Sequence, residues 1–367
     1  TKLRRFGFIT TNSITQTYSR RVIERHMQDK TPLSLVFAIK NHPWLKQAGK
    51  AAVRISMTVA MKGTFEGVLD KVTEESDLHT DTPKVSTERF KGKITPKLSL
   101  GIDSSICKNL ISNEKIAHKG FMPYGKNFFI SGTQAQALID EPITENQYIR
   151  PYVNGSDLNQ KRRNIYVIDF HEKSEEFVFH NYPRMYNYLL TNVKPFRDEN
   201  NIEYRKKYWW RFGQPSVEMR DALNGLSRYI ATAETAVHRI FRFMPTEVAP
   251  DQKVRVLALD DPVSLAILSS RIHCLFSFEM GGWQGVGDDP VYQHTTTFNT
   301  YPFPTLTTQS DVYARLHQLG ERLEEIRTTI IENHPKIPLT EIYNVLNRFR
   351  NIKIHSQAPN LSDSEQH

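Results

Sequence analysis

Two stretches of the chain interleave cations with amides and aromatic rings, the mixture that contact with a polyanion requires. Arg150, Lys161, Arg162 and Arg163 flank the segment PYVNGSDLNQ, and Arg197, Arg205, Lys206, Lys207 and Arg211 surround the pair Trp209 and Trp210, which is expected to be exposed. Cationic side chains neutralise phosphates, while guanidinium and amide groups match the hydrogen-bonding edges of bases. A third group, Arg228, His238, Arg239 and Arg242, lies in and around ATAETAVHRIFRF. The competing reading is a solvated charged face with the aromatic residues packed in the core.

Other chemistry is absent from the pattern. No His, Asp or Glu cluster has metal-ligand spacing, so no metal site is expected. The run GGWQGVGDDP superficially resembles a phosphate loop, but no Gly-Lys-Ser/Thr closes it; a loop allowing close backbone approach is expected instead. There is no GxSxG elbow, and Cys107 and Cys274 offer neither a disulfide scaffold nor a recognisable nucleophile constellation.

The balance of 48 Lys+Arg against 40 Asp+Glu leaves a net charge of +8, which favours a polyanionic partner. With 367 residues, 39% hydrophobic and 24% charged, the chain has the composition of a folded protein of more than one domain. No run approaches the roughly 18 apolar residues that span a bilayer, so no membrane partner and a cytoplasmic location are expected. The chain starts at Thr1 almost directly in an apolar strand, which suggests that preceding material is missing.

The elements that must position these residues can be read from periodicity. FGFI (6–9), LSLVFAI (33–39) and AAVRISMTVAM (51–61) read as strands, with a helix over about 17–29, an order suited to the tail of an open α/β sheet. Residues 65–97 are polar with little periodicity and read as a connector. Short strand-like and helical runs then alternate over 98–305, predicting a mixed α+β domain. Val312, Leu316, Leu319, Leu323, Ile326 and Ile330 form the packing stripe of one helix, and Leu339, Ile342, Leu346 and Phe349 that of a second, giving a helical hairpin over 306–350. A frayed tail is expected over 351–367.

Longer motifs carry a resemblance. TTNSITQ (10–16), FAIKNHPW (37–44) and AAVRISM resemble the later motifs of an adenine-specific, amino-methylating DNA methyltransferase of the MmeI-like restriction-modification and phage-defence type. HKGFMPYGKNFFIS, IRPYVNGSDLNQ, KYWWRFGQPS, RYIATAETAVHRIFRF and the segment ending FNTYPFP are similar to that family's target-recognition domain, and PLTEIYN to its C-terminal helical region. The resemblance implies an architecture in three parts: the tail of a Rossmann-like methyltransferase sheet (1–64), a DNA target-recognition domain, and the helical end. It also implies S-adenosylmethionine as the parent's cofactor and double-stranded DNA as partner, with further defence-system subunits possible.

The family's Gly-containing cofactor loop and its Asn-Pro-Pro-aromatic motif do not occur in this sequence. The resemblance therefore implies a C-terminal fragment, inactive alone and binding no cofactor tightly, of an adenine-N6 methyltransferase. Trp44 matches the residue that packs against an extruded base; an anchor for the following loop is the alternative. Phosphate contacts fall to Lys119, Lys126, Lys161, Arg162 and Arg163. Base readers fall among Asn154, Ser156, Asp157, Arg205, Trp209, Trp210, Arg211 and Gln214, with Arg suited to guanine, Asn and Gln to adenine, and Asp to cytosine. Arg150, Lys206, Lys207, Arg239 and Arg242 complete the expected DNA-binding set. A stand-alone DNA-binding or specificity protein docking on a partner subunit is the other reading.

Overall fold

A computed structural model describes residues 3–44, 53–77, 84–100, 107–284 and 289–355. The chain groups into two units, Thr1–Cys107 with Gly282–Asp289, and Lys108–Gly281 with Pro290–His367.

The first unit is a five-stranded sheet with one helix. Strands β1 (Arg5–Thr11), β2 (Leu33–Trp44), β3 (Val53–Lys62), β4 (Gly67–Ser76) and β5 (Lys84–Gly92) lie in the order β1-β3-β2-β4-β5, and α1 (Thr17–Met27) follows β1. β3 runs antiparallel to both β1 and β2, whereas β4 runs parallel to β2. Leu35, Ala38, Ala60 and Leu69 supply a buried core, against which Ile23 and Met27 of α1 pack. Gly67 begins β4 where a Cβ would stand 2.3 Å from the Leu35 carbonyl, so only glycine lets the two strands approach there.

Most of the stretch read as a connector, 65–97, is thus two strands of this sheet. β5 hides from a periodicity search because it is almost wholly exposed and pairs through its backbone, with no buried face to impose alternation. Asp70 beneath it is buried and receives two hydrogen bonds from Arg89 (2.7 and 2.8 Å), which hold its carboxyl below the usual range.

The second unit begins with β6 (Ala117–Lys119), β7 (Phe129–Ser131), α2 (Gly132–Ala137), β8 (Ile149–Val153) and β9 (Ile165–Ile168). Helices α3 (Glu175–Asn181), α4 (Pro183–Asn192), α5 (Lys194–Asp198), α6 (Glu203–Lys207) and α7 (Val217–Leu223) follow. After β10 (Arg228–Ala233), β11 (Arg242–Pro245), β12 (Ala249–Pro250) and β13 (Val254–Leu257), the chain continues in α8 (Pro262–Leu268), α9 (Arg271–Met280), α10 (Asp311–Asn333) and α11 (Leu339–His355). Two four-stranded sheets result, β11-β10-β13-β6 and β12-β8-β9-β7. Their shared core is dense in aromatics, including Phe121, Phe128, Trp209, Trp210 and Phe212.

The hairpin of α10 and α11 is present, and α11 runs to His355, past the residue where fraying was expected. Residues 356–367 of the expected tail, and 285–288 of the Gly-rich run, lie outside the described residues. The stripe of α10 is not its packing face throughout: Val312, Leu319 and Ile326 are exposed, and the helix is buried at Gly320, Arg327 and Ile331. Gly320 explains the rotation, since a Cβ there would meet the Pro262 carbonyl of α8 at 2.0 Å.

Candidate nucleic-acid interface

A cleft of about 750 Å³ opens in the second unit. The turn after β8 contributes Asn154 and Ser156, the segment before β9 contributes Gln160 and Arg163, and the turn before β13 contributes Asp251 and Lys253. Thr235 beyond β10 and Pro338 and Thr340 at the start of α11 close the other side.

The Asn154 turn is built by its own side chains. Asn154 Oδ1 accepts from the backbone N–H groups of Ser156 (2.9 Å) and Asp157 (3.1 Å), and Asp157 Oδ2 accepts from Asn154 N (2.9 Å). The buried Asp157 carboxylate also takes two bonds from Arg163, from Nε at 2.9 Å and Nη2 at 2.8 Å. That pairing raises the Arg163 pKa, so the guanidinium stays charged and is held in a fixed plane. Its side chain remains 48% exposed, leaving an edge free to face a ligand. Across the cleft, the Tyr152 hydroxyl donates to Asp251, and burial followed by that carboxylate pushes the phenol pKa up. Ser156 and the neighbouring Lys161 are exposed. The cleft is thus a fixed cation and hydroxyl and amide groups around an opening whose carboxylates are already engaged.

The structure divides the expected contact residues. Asn154, Ser156 and Arg163 line the cleft. Asp157 lies beneath it and is taken up by Arg163, so it is not a free acceptor for a cytosine amine. Lys161 and Arg162 are exposed beside it, and Lys119, Lys126, Lys206, Lys207 and Gln214 are exposed elsewhere in the unit.

Six of the expected contact residues are turned inward by packing. Trp209 and Trp210 are core residues at 3% and 5% exposure, and Trp210 Nε1 donates to the Lys173 carbonyl (3.0 Å). Arg211 donates to the same carbonyl from Nε (3.0 Å) and Nη2 (2.7 Å), with its guanidinium over the Tyr208 and Trp210 rings. Arg150 is spent on Asp169 and on the Thr246 and Glu247 carbonyls. Arg239 and Arg242 are buried: Arg239 bonds the Ala233 and Pro290 carbonyls, and Arg242 bonds Glu324 of α10. A buried cation needs internal acceptors, and these arginines turn most of their donors to groups inside the fold. Arg205 is partly withdrawn, with its guanidinium 3.7 Å from the Tyr124 ring centre.

Sequence reading missed Gln160, Thr235 and Lys253. Gln160 adjoins the basic run, and Lys253 sits in a polar turn between strands, but only the fold brings them to Asn154. Trp44, in the first unit, ends β2 at 43% exposure. Just before it the β2–β3 register shifts between Ile39 and His42, at Asn41, whose φ is 62°. Asn12 fixes that bulge: it donates to Asn41 Oδ1 (2.6 Å) and accepts from Asn41 N (3.1 Å) and Ser56 Oγ (2.8 Å). The Asn of TTNS thus positions the strand end that carries Trp44. Among the described residues no group of His, Cys, Asp and Glu is placed to hold a metal ion, and no single helix is long and apolar enough to cross a membrane.

Residues 106–305 match the protein family described as "MmeI, target recognition domain". Among solved structures, the chain is similar to the Type IIL restriction-modification enzyme MmeI in complex with DNA, at 18% identity and a TM-score of 0.69, with 98% of this chain and 48% of that one covered. It spans about half the length of that protein, and identity at this level shows a shared fold. The type IIG restriction endonuclease BpuSI also aligns, at 12% identity and a TM-score of 0.35 over 86% of this chain and 42% of that one. No curated protein matches.

Proposed function

We propose, for a chain that belongs to the MmeI target-recognition-domain family, that its second unit reads the sequence of duplex DNA on behalf of an adenine-specific methyltransferase of which the first unit is the C-terminal end. The observation that carries this reading is the Asn154–Arg163 cleft. A guanidinium held in plane by a buried carboxylate, beside an amide, a hydroxyl and a second cation, is suited to directional base contacts flanked by phosphate contacts. Lys161 and Lys253 supply charge without fixed geometry, as backbone contacts require.

On this reading the methyl donor, S-adenosylmethionine, is held by another part of the longer protein. The cleft is a poor fit for the donor, since the carboxylate that lines it, Asp251, already accepts from the Tyr152 hydroxyl and the Lys253 backbone N–H. Trp44 would pack against an adenine taken out of the duplex, an extrusion that costs a few kcal/mol of stacking. In the longer protein, Trp44→Ala should slow methylation of an ordinary duplex more than of one mismatched at the target base; equal slowing would make Trp44 an anchor for its loop.

Selection of binding sites from a random duplex pool, followed by anisotropy titrations on the enriched and on scrambled sequences, tests the recognition reading. A consensus whose binding depends on Arg163 is expected. Equal affinity for all sequences would defeat it and leave a non-specific DNA-binding protein. The docking alternative draws on one feature, the exposed Val312, Leu319 and Ile326 along α10.

A further inference from the structure

Arg197, on α5, is wholly buried, and no described carboxylate pairs with it. Its Nη2 donates to the carbonyls of Pro123 (2.6 Å) and Arg211 (3.2 Å), and its guanidinium lies 5.3 Å from the centre of the Phe128 ring. Its Nε and Nη1 have no partner. The neighbouring charge is another cation: burial first, and Arg205 next, depress the Arg197 pKa to about 10. Arg205 rests on the Tyr124 ring, and its own Nε is buried and unpartnered. Glycine at 213 keeps the place open, since a Cβ would come within 2.8 Å of both Arg197 Nη1 and Tyr124 Cβ.

A buried cation with unmet donors is expensive, and a second cation beside it raises the cost. Other buried arginines have more internal acceptors: Arg242 has Glu324, Arg255 of β13 has Glu234, and Arg239, although its Nε is also unpartnered, bonds Thr232 Oγ1 and the Ala233 and Pro290 carbonyls. What Arg197 and Arg205 lack in common is an anion. Two guanidiniums close enough to repel each other are chemically suited to share the several oxygens of one phosphate.

We propose that Arg197 and Arg205 form a binding site for a phosphate group, admitted when the Arg205 side chain turns off the Tyr124 ring. The phosphate oxygens take up the unmet donors of both residues and relieve their repulsion. Lys126 lies two residues beyond Tyr124, and Lys206 and Lys207 follow Arg205; all three are exposed. Several exposed cations close in sequence to the pair suit a phosphate in a polymer, and the duplex backbone is its carrier. That choice of carrier rests on the DNA reading above, whereas the phosphate site does not.

The test uses the whole chain, with Arg205→Gln and Arg197→Met. Thermal melts in inorganic phosphate and in chloride of matched ionic strength probe the site, and duplex anisotropy titrations over a salt series probe the carrier. Phosphate should raise the Tm of the unaltered chain above its value in chloride, and the difference should vanish in both variants. Arg205→Gln should also weaken duplex binding roughly tenfold and lower the salt slope by about 1, the release from one phosphate contact. Arg205→Gln keeps the core intact, so it decides the matter if Arg197→Met does not fold. A phosphate effect with an unchanged duplex slope establishes the site for free phosphate and overturns the duplex as carrier. No phosphate effect and no slope change overturn the site. Sequence-selective binding that still depends on Arg163 would then leave the recognition reading standing.

Discussion

Replacing Arg163 by Lys keeps the charge and removes the fork, which separates the two ways this residue can meet DNA. In the folded chain Arg163 spans both oxygens of a carboxylate whose side chain is fully buried, at 2.9 and 2.8 Å, while being 48% exposed itself. Lysine can restore one of those bonds. A hydrogen bond to a charged group contributes about 1.5–3 kcal/mol, and solvent screening at the half-exposed guanidinium reduces this, so a loss of about 1 kcal/mol is expected. For a unit of this size that lowers the Tm by about 2–4 °C. The effect on DNA should be larger and selective. If the free edge of the guanidinium reads a base, the specific duplex loses about 1–3 kcal/mol, or about 5- to 150-fold in affinity. Unrelated duplexes should change little, and the salt slope should stay fixed because the charge is retained. Anisotropy titrations on both duplexes over a salt series, with thermal melts of both proteins, provide the comparison. Equal and small losses on the two duplexes would refute base reading by Arg163 and leave it a buttress for the Asn154 turn.

Four further outcomes follow from the packing. Replacing Lys206 and Lys207 by Gln should weaken specific and unrelated duplexes alike and flatten the salt slope by about 1–2, whereas Arg211→Ala should cost about 2 kcal/mol of stability through its lost bonds to the Lys173 carbonyl; denaturant melts showing an unaltered Arg211→Ala chain would contradict its internal role. Asp169→Asn should be more damaging, about 3 kcal/mol or more, because two guanidiniums, Arg150 and Arg220, lose the buried carboxylate they share; urea midpoints measure it, and a loss under 1 kcal/mol would mean that the buried pairing contributes little. His273 is buried, which lowers its pKa to about 4 from 6.5. The unfolded chain therefore binds the proton that the folded chain refuses, and stability present above pH 6.5 is lost as pH falls toward 4, by about 3 kcal/mol for this residue. Urea melts at pH 7.5 and pH 5 should show a smaller difference in His273→Asn than in the unaltered chain.

Much of the architecture is written in local sequence. Short apolar runs mark β2 and β10, Ser131, Ser174, Ser270 and Ser310 accept from backbone N–H groups at helix starts, and apolar residues recurring at steps of three and four mark α10. β5 escaped because an exposed edge strand carries no buried face, and its pairing is made by backbone groups common to every residue. The clustering of cations was equally legible, and the Asn154 to Arg163 segment, close in sequence, lies at the cleft. Which cations are free was not legible. Arg242 is claimed by Glu324, 82 positions away, and Arg150 by Asp169 and by carbonyls 96 and 97 positions away, while Trp209 and Trp210 are drawn into a core assembled from distant aromatics. A side chain's type and neighbours set what it is able to bind, but a buried charge must be paid for by partners that only the folded chain brings within reach, and that pairing decides what remains for a ligand.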